Sequence, residues 1–248
     1  MTDDDLLQLR RLFEVMEQLR APGGCPWDRA QTHQTLLPFL LEETYEAIQA
    51  AEENRLGELA EELGDLLVEV AMHCAIAAES ETFDIGTVAK SATEKMIGRH
   101  PHVFADLEVA GVAQVLSNWE ELKRREKPDR ESALDGIPNS LPALALAAAV
   151  QRRQPQDLPT GGRGGAELDP AAAAQEALSK LVLGEDGERS VEQLVGELLY
   201  SVVALARSRD VDAEGVLRRF SSRQRATLRR GELDDRAQAG ARPPSGVK

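Results

Sequence analysis

A chain of 248 residues is long enough for one large domain or two of ordinary size, each with a real core. Its 43 acidic against 29 basic residues leave a net charge of −14, which argues against a nucleic-acid backbone or an anionic membrane as the main partner. No apolar run approaches the ~20 residues of a bilayer span. Cys25 and Cys74 are too few for a disulfide framework or a zinc site, so a reduced, cytoplasmic protein is expected.

Aromatic residues are few, alternating β-branched runs are scarce, and Ala, Leu and Glu dominate, which predicts an all-α fold, a helical bundle. Taken in chain order, helices are expected at about 3–20, 34–53, 57–79, 85–99, 112–126, 140–153, 170–183, 190–208 and 212–230. The first, in "MTDDDLLQLRRLFEVMEQLR", is acidic and amphipathic and does not read as a signal peptide. "QPQDLPTGGRGGAELDP" is the clearest linker, and the end of the chain, with "AQAGARPPSGVK", reads as a disordered tail.

The second and third helices hold the unusual chemistry. Between Glu42 and Asp65 stand nine carboxylates and one basic residue, Arg55, on helices whose leucine spacing asks for burial. In the earlier helix Leu37, Leu41, Tyr45 and Ile48 make an apolar stripe, while Glu42, Glu43 and Glu46 fall within a ~100° arc on another side. Phe39 lies on that same arc, one turn before Glu43. In the later helix Leu59, Leu63, Leu66, Leu67 and Val70 make the expected core stripe, edged by Glu58, Glu62, Asp65 and Glu69. "ENRLG" is a short turn, so the helices run antiparallel as neighbours. Counting outward from it sets Glu46 near Asp65, to within a turn of ~5.4 Å, with Glu43 and Glu62 flanking them.

Four like charges converging between packed helices are costly unless cations neutralise them. Hard divalent ions with oxygen ligands do so, and pairs of ligands at i,i+3 on adjacent helices are how bundles build metal sites. By charge pattern alone, Glu52, Glu53 and Glu61 read as a solvated face.

Further along, Asp84 is placed to cap a helix carrying Lys95 and Arg99 at i,i+4, a spacing that suits either a solvated surface pair or a grip on phosphate oxygens. His100 and His102 flank Pro101 and are expected to anchor a loop, and His73 and Cys74 to be core. Trp27 and Trp119, the latter ahead of Lys123, are aromatic planes able to pack or to stack on a base.

The stretches "GGCPWDRAQTHQTLLPFLLEETYEA", "ELGDLL", "RHPHVFAD" and "VLSNWEELKRRE", in this order over roughly residues 8–140, resemble the MazG-type nucleoside triphosphate pyrophosphohydrolases of the all-α NTP pyrophosphatase superfamily. The resemblance implies Mg²⁺, with Mn²⁺ as a substitute, on Glu43, Glu46, Glu62 and Asp65, with Glu42 alongside. It implies hydrolysis of a (d)NTP to nucleoside monophosphate and pyrophosphate by a homodimer or larger oligomer, for house-cleaning or nucleotide-pool control. It sets Lys95 and Arg99 against the triphosphate and makes Trp27, Trp119 and Lys123 substrate-contact candidates. Either Glu42 or Glu61 is a candidate to accept the attacking water's proton. The same residues also suit a narrower enzyme for dUTP, dCTP or phosphoribosyl-ATP, and a non-catalytic helical adaptor is the rival outside that class.

"LVGELLYSVVALARS" parallels "ELGDLLVEVAMHCAI", which suggests a second, degenerate copy. In it Leu194 and Glu197 stand for Glu62 and Asp65, and Gln175, Glu176 and Ser179 for Glu42, Glu43 and Glu46. The expected organisation is a catalytic domain over 1–135, a connecting helix over 136–153, a linker over 154–169, the degenerate unit over 170–230 and a tail over 231–248.

Overall fold

A computed structural model describes residues 1–126, 130–153, 169–184 and 189–240 of the chain. The described residues form helices and no strands, so the fold is all-α. Two compact units divide the chain, Met1–Lys127 and Pro128–Lys248.

In the first unit, α1 (Asp3–Arg20) opens with a capping box. The Thr2 N–H donates to Asp5 Oδ2 at 2.6 Å, and the Asp5 N–H donates to Thr2 Oγ1 at 3.1 Å. The chain then turns through "PGG", where a Cβ on Gly24 would meet the Leu19 carbonyl oxygen at 2.3 Å, so no other residue fits. A short α2 (Pro26–Ala30) follows, and then the hairpin of α3 (Leu37–Glu52) and α4 (Leu56–Glu79). Asn54, with φ 55°, makes its tight turn, and Arg55 pairs with Glu53 at 2.9 Å and with Glu58. α1 packs along α4, around Met16, Leu36, Ala71 and Met72.

Arg20, the buried last residue of α1, joins three segments. Its Nε and Nη2 donate to the Glu79 carboxylate at 2.7 and 2.9 Å, and its Nη1 donates to the carbonyls of Asp28 and Gln31. Helices α5 (Ile85–Arg99), α6 (Pro101–Phe104) and α7 (Val112–Arg125) complete the unit, with α5 packed on α6 and α7. Asp84 caps α5 as expected, accepting the Thr87 N–H at 2.7 Å.

The second unit holds α8 (Ala143–Arg153), the hairpin of α9 (Pro170–Leu183) and α10 (Val191–Arg207), and α11 (Ala213–Gly240). Asp169 and Ser190 cap α9 and α10, and Gly184 ends α9 in the left-handed conformation. α8 packs on α10 and α11, so the helix expected to connect two units belongs to the second. Gln151 donates to the Tyr200 carbonyl at 2.8 Å and accepts from Arg207 at 3.3 Å.

Three expectations need correction. The stripes assigned to the core of α3 and α4 are largely bare: Leu41 is 58 % exposed, Leu63 50 % and Leu37 55 %, with Tyr45, Leu67 and Val70 also exposed. The buried positions are instead small ones, Ala47, Ala50, Ala71, Ala75 and Ala77, with Met72 and Cys74. Periodicity shows that a face favours burial; it does not say that the same chain covers it. Second, α2 and α6 were not expected, because helices of five and four residues fall below any periodic window. Third, α11 continues past the end expected at 230 to Gly240, through a run rich in good helix formers. The linker expected at 154–169 lies, but for Asp169, outside the described residues, as do the last eight residues of the expected tail.

Candidate metal centre

The hairpin turn decides which carboxylates meet. One oxygen each from Glu43 on α3 and Glu62 and Asp65 on α4 lie within 4.8 Å of one another, the sole such group among the described residues. Glu43 and Glu62 are half-buried, and Asp65 is exposed. Burial pushes the Glu43 carboxyl above its ordinary range, and the charges of Asp65, Glu46 and Glu42 push it further, against a hydrogen bond with Glu62. Glu62 is raised by burial, then by Glu46, Glu43, Asp65 and Glu61. A hydrogen bond between two carboxyls needs a proton on one of them, which is the state that the raised values favour.

Glu46 is exposed and outside the tight group of three, yet its charge is the largest on Glu62. No Lys or Arg ion pair involves Glu43, Glu46, Glu62 or Asp65 among the described residues. Three clustered oxygens without a protein cation suit a hard divalent ion that keeps part of its water shell. Glu42 and Glu61 are exposed at the rim.

The other residues singled out from the sequence are distributed differently. Trp27, 56 % exposed, sits edge-on to Phe39 at 5.9 Å, one turn before Glu43 on α3. Lys95 is exposed on α5. Arg99 makes a two-pronged pair with Glu126 at 2.9 and 2.5 Å, and its guanidinium lies 5.3 Å from the centre of the Trp119 ring. His100 fixes this corner through its Nδ1, 2.6 Å from the Met96 carbonyl oxygen, and its ring meets Trp119 edge-on at 4.9 Å. Lys123 is half-buried on α7. The hairpin thus gathers the carboxylates, while Lys95, Arg99, Trp119 and Lys123 stand on α5 and α7, which pack on one another.

One constellation escaped the sequence. His73, expected in the core, is only half-buried, and its Nδ1 lies 2.7 Å from Nδ1 of His33 in the α2–α3 connection. The two rings are nearly parallel, 4° apart with centres 5.0 Å apart, and meet edge to edge through these nitrogens, with Phe83 beside His33 at 6.3 Å. The available signal was Glu69 four residues before His73 on one helix face.

A family model for the MazG nucleotide pyrophosphohydrolase domain matches residues 31–104, the span of the hairpin and of α5. The nucleoside triphosphate pyrophosphohydrolase/pyrophosphatase MazG of Thermotoga maritima is 40 % identical over 212 residues, 84 % of this chain and 79 % of that protein. The nucleoside triphosphate pyrophosphohydrolase of Escherichia coli K12 is 35 % identical over 240 residues, 90 % of each chain. An uncharacterized protein of Bacillus subtilis, YabN, is 45 % identical over 139 residues, and the chain spans 28 % of its length. A solved structure, a mazG-related protein from Thermotoga maritima, is 30 % identical, covers 46 % of this chain and 98 % of its own, and has a TM-score of 0.40.

Proposed function

This chain belongs to the MazG nucleotide pyrophosphohydrolase family, and from that premise we propose that it hydrolyses nucleoside triphosphates to monophosphate and pyrophosphate with Mg²⁺. The observation that carries this reading is the repulsive group of Glu43, Glu62 and Asp65, with Glu46 beside it and no cation paired with it among the described residues. These four carboxylates hold the ion, and Mn²⁺ substitutes. When bound there, the ion would supply charge neutralisation for the phosphates and Lewis acidity toward water. Glu42 or Glu61, at the rim, takes the proton of the attacking water.

Lys95 and Arg99 receive the polyphosphate, with Lys123 beside it, Trp119 toward the base and Trp27 as a further contact. For Arg99 this means exchanging the Glu126 carboxylate for phosphate oxygens, a like-for-like replacement of one two-pronged partner by another. The bare stripe of Leu41, Tyr45, Leu63, Leu67 and Val70 supports a homodimer in which hairpins of two copies cover each other, because apolar patches of this extent mark interaction surfaces. Residues 170–230 are read as a degenerate copy with no metal. No described helix is long and apolar enough to cross a membrane.

The deciding assay offers eight (d)NTPs with Mg²⁺ in ¹⁸O-water and resolves the products. Monophosphate and pyrophosphate are expected. Diphosphate with label in inorganic phosphate would refute attack at the α-phosphorus, and turnover confined to one nucleotide would favour the narrower enzyme. Independently of turnover, Mg²⁺ should raise the Tm of the wild-type chain and not that of Glu62→Ala.

A further inference from the structure

Glu69 and His73 stand one turn apart on the same face of α4, continuing the line of Glu62 and Asp65 away from the carboxylate group. Glu69 is 8 % exposed. Among the buried side-chain polar atoms of the described residues that lack a hydrogen-bond partner are Glu69 Oε2 and His73 Nε2. Buried polar atoms are normally paired, so two orphans on neighbouring turns of one face point to a missing common partner.

The histidine pair explains what that partner is. A proton on the buried Nε2 would have no acceptor, whereas one on Nδ1 donates to His33 Nδ1 at 2.7 Å. On this ground we assign His73 the Nδ1–H tautomer, which leaves a bare lone pair at Nε2. Burial, reinforced by His33, lowers the His73 pKa and keeps that lone pair free at neutral pH. Burial also raises the Glu69 carboxyl, whose proton a bound cation displaces. A ring held through one nitrogen by a hydrogen-bond acceptor, with the other nitrogen bare, is the usual arrangement of a metal-binding histidine.

We propose that Glu69 and His73, oriented by His33, form a second divalent-cation site, for a nitrogen-seeking ion of the zinc class rather than for Mg²⁺. Imidazole suits Zn²⁺, Co²⁺ and Ni²⁺, while Mg²⁺ demands oxygen ligands, so the two sites along α4 select different ions. Two side chains at i,i+4 leave the remaining positions to water, which makes this a weaker site than a closed four-ligand one.

The experiment uses the full chain in a large excess of Mg²⁺, with Co²⁺ as the probe, following its visible absorption and its stoichiometry. One Co²⁺ per chain is expected. His73→Phe and the near-isosteric Glu69→Gln should each weaken it by at least about tenfold, and His33→Ala by about 10- to 100-fold, the usual effect of removing an orienting partner. Circular dichroism checks that each variant folds. Glu62→Ala should lose its Mg²⁺ response yet keep Co²⁺, which separates this site from the carboxylate centre. The proposal is overturned if no Co²⁺ binds in excess Mg²⁺, if His73→Phe and Glu69→Gln bind it as the wild type does, or if Glu62→Ala abolishes it. The orphan atoms would then share only a water.

Discussion

Each unit holds a helix hairpin with a further helix packed on its second member: α1 packs on α4 of the α3–α4 hairpin, and α8 on α10 of the α9–α10 hairpin, which is the basis on which we compare them as copies. Even the caps correspond: Asp84 accepts the N–H of Thr87, and Asp212 that of Gly215, each three residues on. The hairpins differ in charge. On α3 and α4 the carboxylates crowd together, and among the described residues no Lys or Arg pairs with Glu43, Glu46, Glu62 or Asp65. On α9 and α10, Leu194 is buried where Glu62 would stand, Glu176 is held by Lys180 at 2.5 Å, and Glu197 by Arg189 at 2.6 Å. Among the described residues the α9–α10 hairpin packs without a carboxylate cluster, so packing of such a hairpin does not require one. On that ground we assign the Glu43, Glu62 and Asp65 group, whose mutual repulsion works against stability, to function rather than to packing.

That contrast is most sharply broken by mutation. Glu43→Ala, Glu46→Ala, Glu62→Ala and Asp65→Ala should each lower turnover by at least about 100-fold, the scale on which loss of one preorganised electrostatic group is felt. Without metal these variants should unfold no earlier than the wild type, because each removes repulsion. Glu197→Ala, at the matching place in the second unit, should leave kcat within about twofold. Equal losses from Glu62→Ala and Glu197→Ala would mean that both hairpins do chemistry.

Much of this was legible because caps and turns are local. Thr2 with Asp5, Asp84, and the short turn around Asn54 fix helix ends through neighbours in sequence, and counting out of that turn brings four carboxylates together, although it sets Asp65 against Glu46, whereas the tight group holds Glu43 with Glu62 and Asp65. What stayed hidden depends on contacts between distant segments. The Arg99 pair with Glu126 spans 27 residues, and the His33–His73 bond spans 40. The bare stripe on Leu41 and Leu63 was misassigned for the same reason, since a sequence shows an apolar face but not its cover.

A smaller effect separates the units by pH. The Glu43 and Glu62 carboxyls are raised above an ordinary value of 4.5. A raised carboxyl contributes stability that is fully present below the unfolded value and is lost as pH rises through the folded one. The metal-free first unit should therefore lose stability on going from about pH 4.5 upward, and Mg²⁺ should restore it. The Mg²⁺-induced rise in Tm is expected to be larger near pH 7.5 than near pH 5, and absent in Glu62→Ala. A rise independent of pH would place the ion away from these two groups.

The second unit's fixed cations should matter less. Arg189 and Glu197 have side chains 40 % and 42 % exposed, so solvent screens their pair. Arg189→Gln should cost no more than about 1 kcal/mol, read from urea unfolding, and leave turnover unchanged. A loss of several kcal/mol would instead make Arg189 the counter-ion of a buried site.

Removing the second unit altogether should likewise change turnover little. The compact first unit ends at Lys127, and everything proposed for catalysis lies before that point, including Glu126, the partner of Arg99. A chain ending at Lys127 should keep kcat per site within about twofold, since distant, independent groups contribute additively. Ending at Arg153 should behave worse, although it is longer. That chain would retain α8 without α10 and α11, baring the face that buries Ala149 and leaving Gln151 without the Tyr200 carbonyl. Exposed apolar surface of that kind promotes aggregation rather than inactivity. Comparing the two ends by turnover and by light scattering therefore tests where the units divide as well as which of them does the chemistry. If the chain ending at Lys127 is folded but inactive while the longer one works, the second unit, or α8 alone, supplies something the carboxylate hairpin lacks.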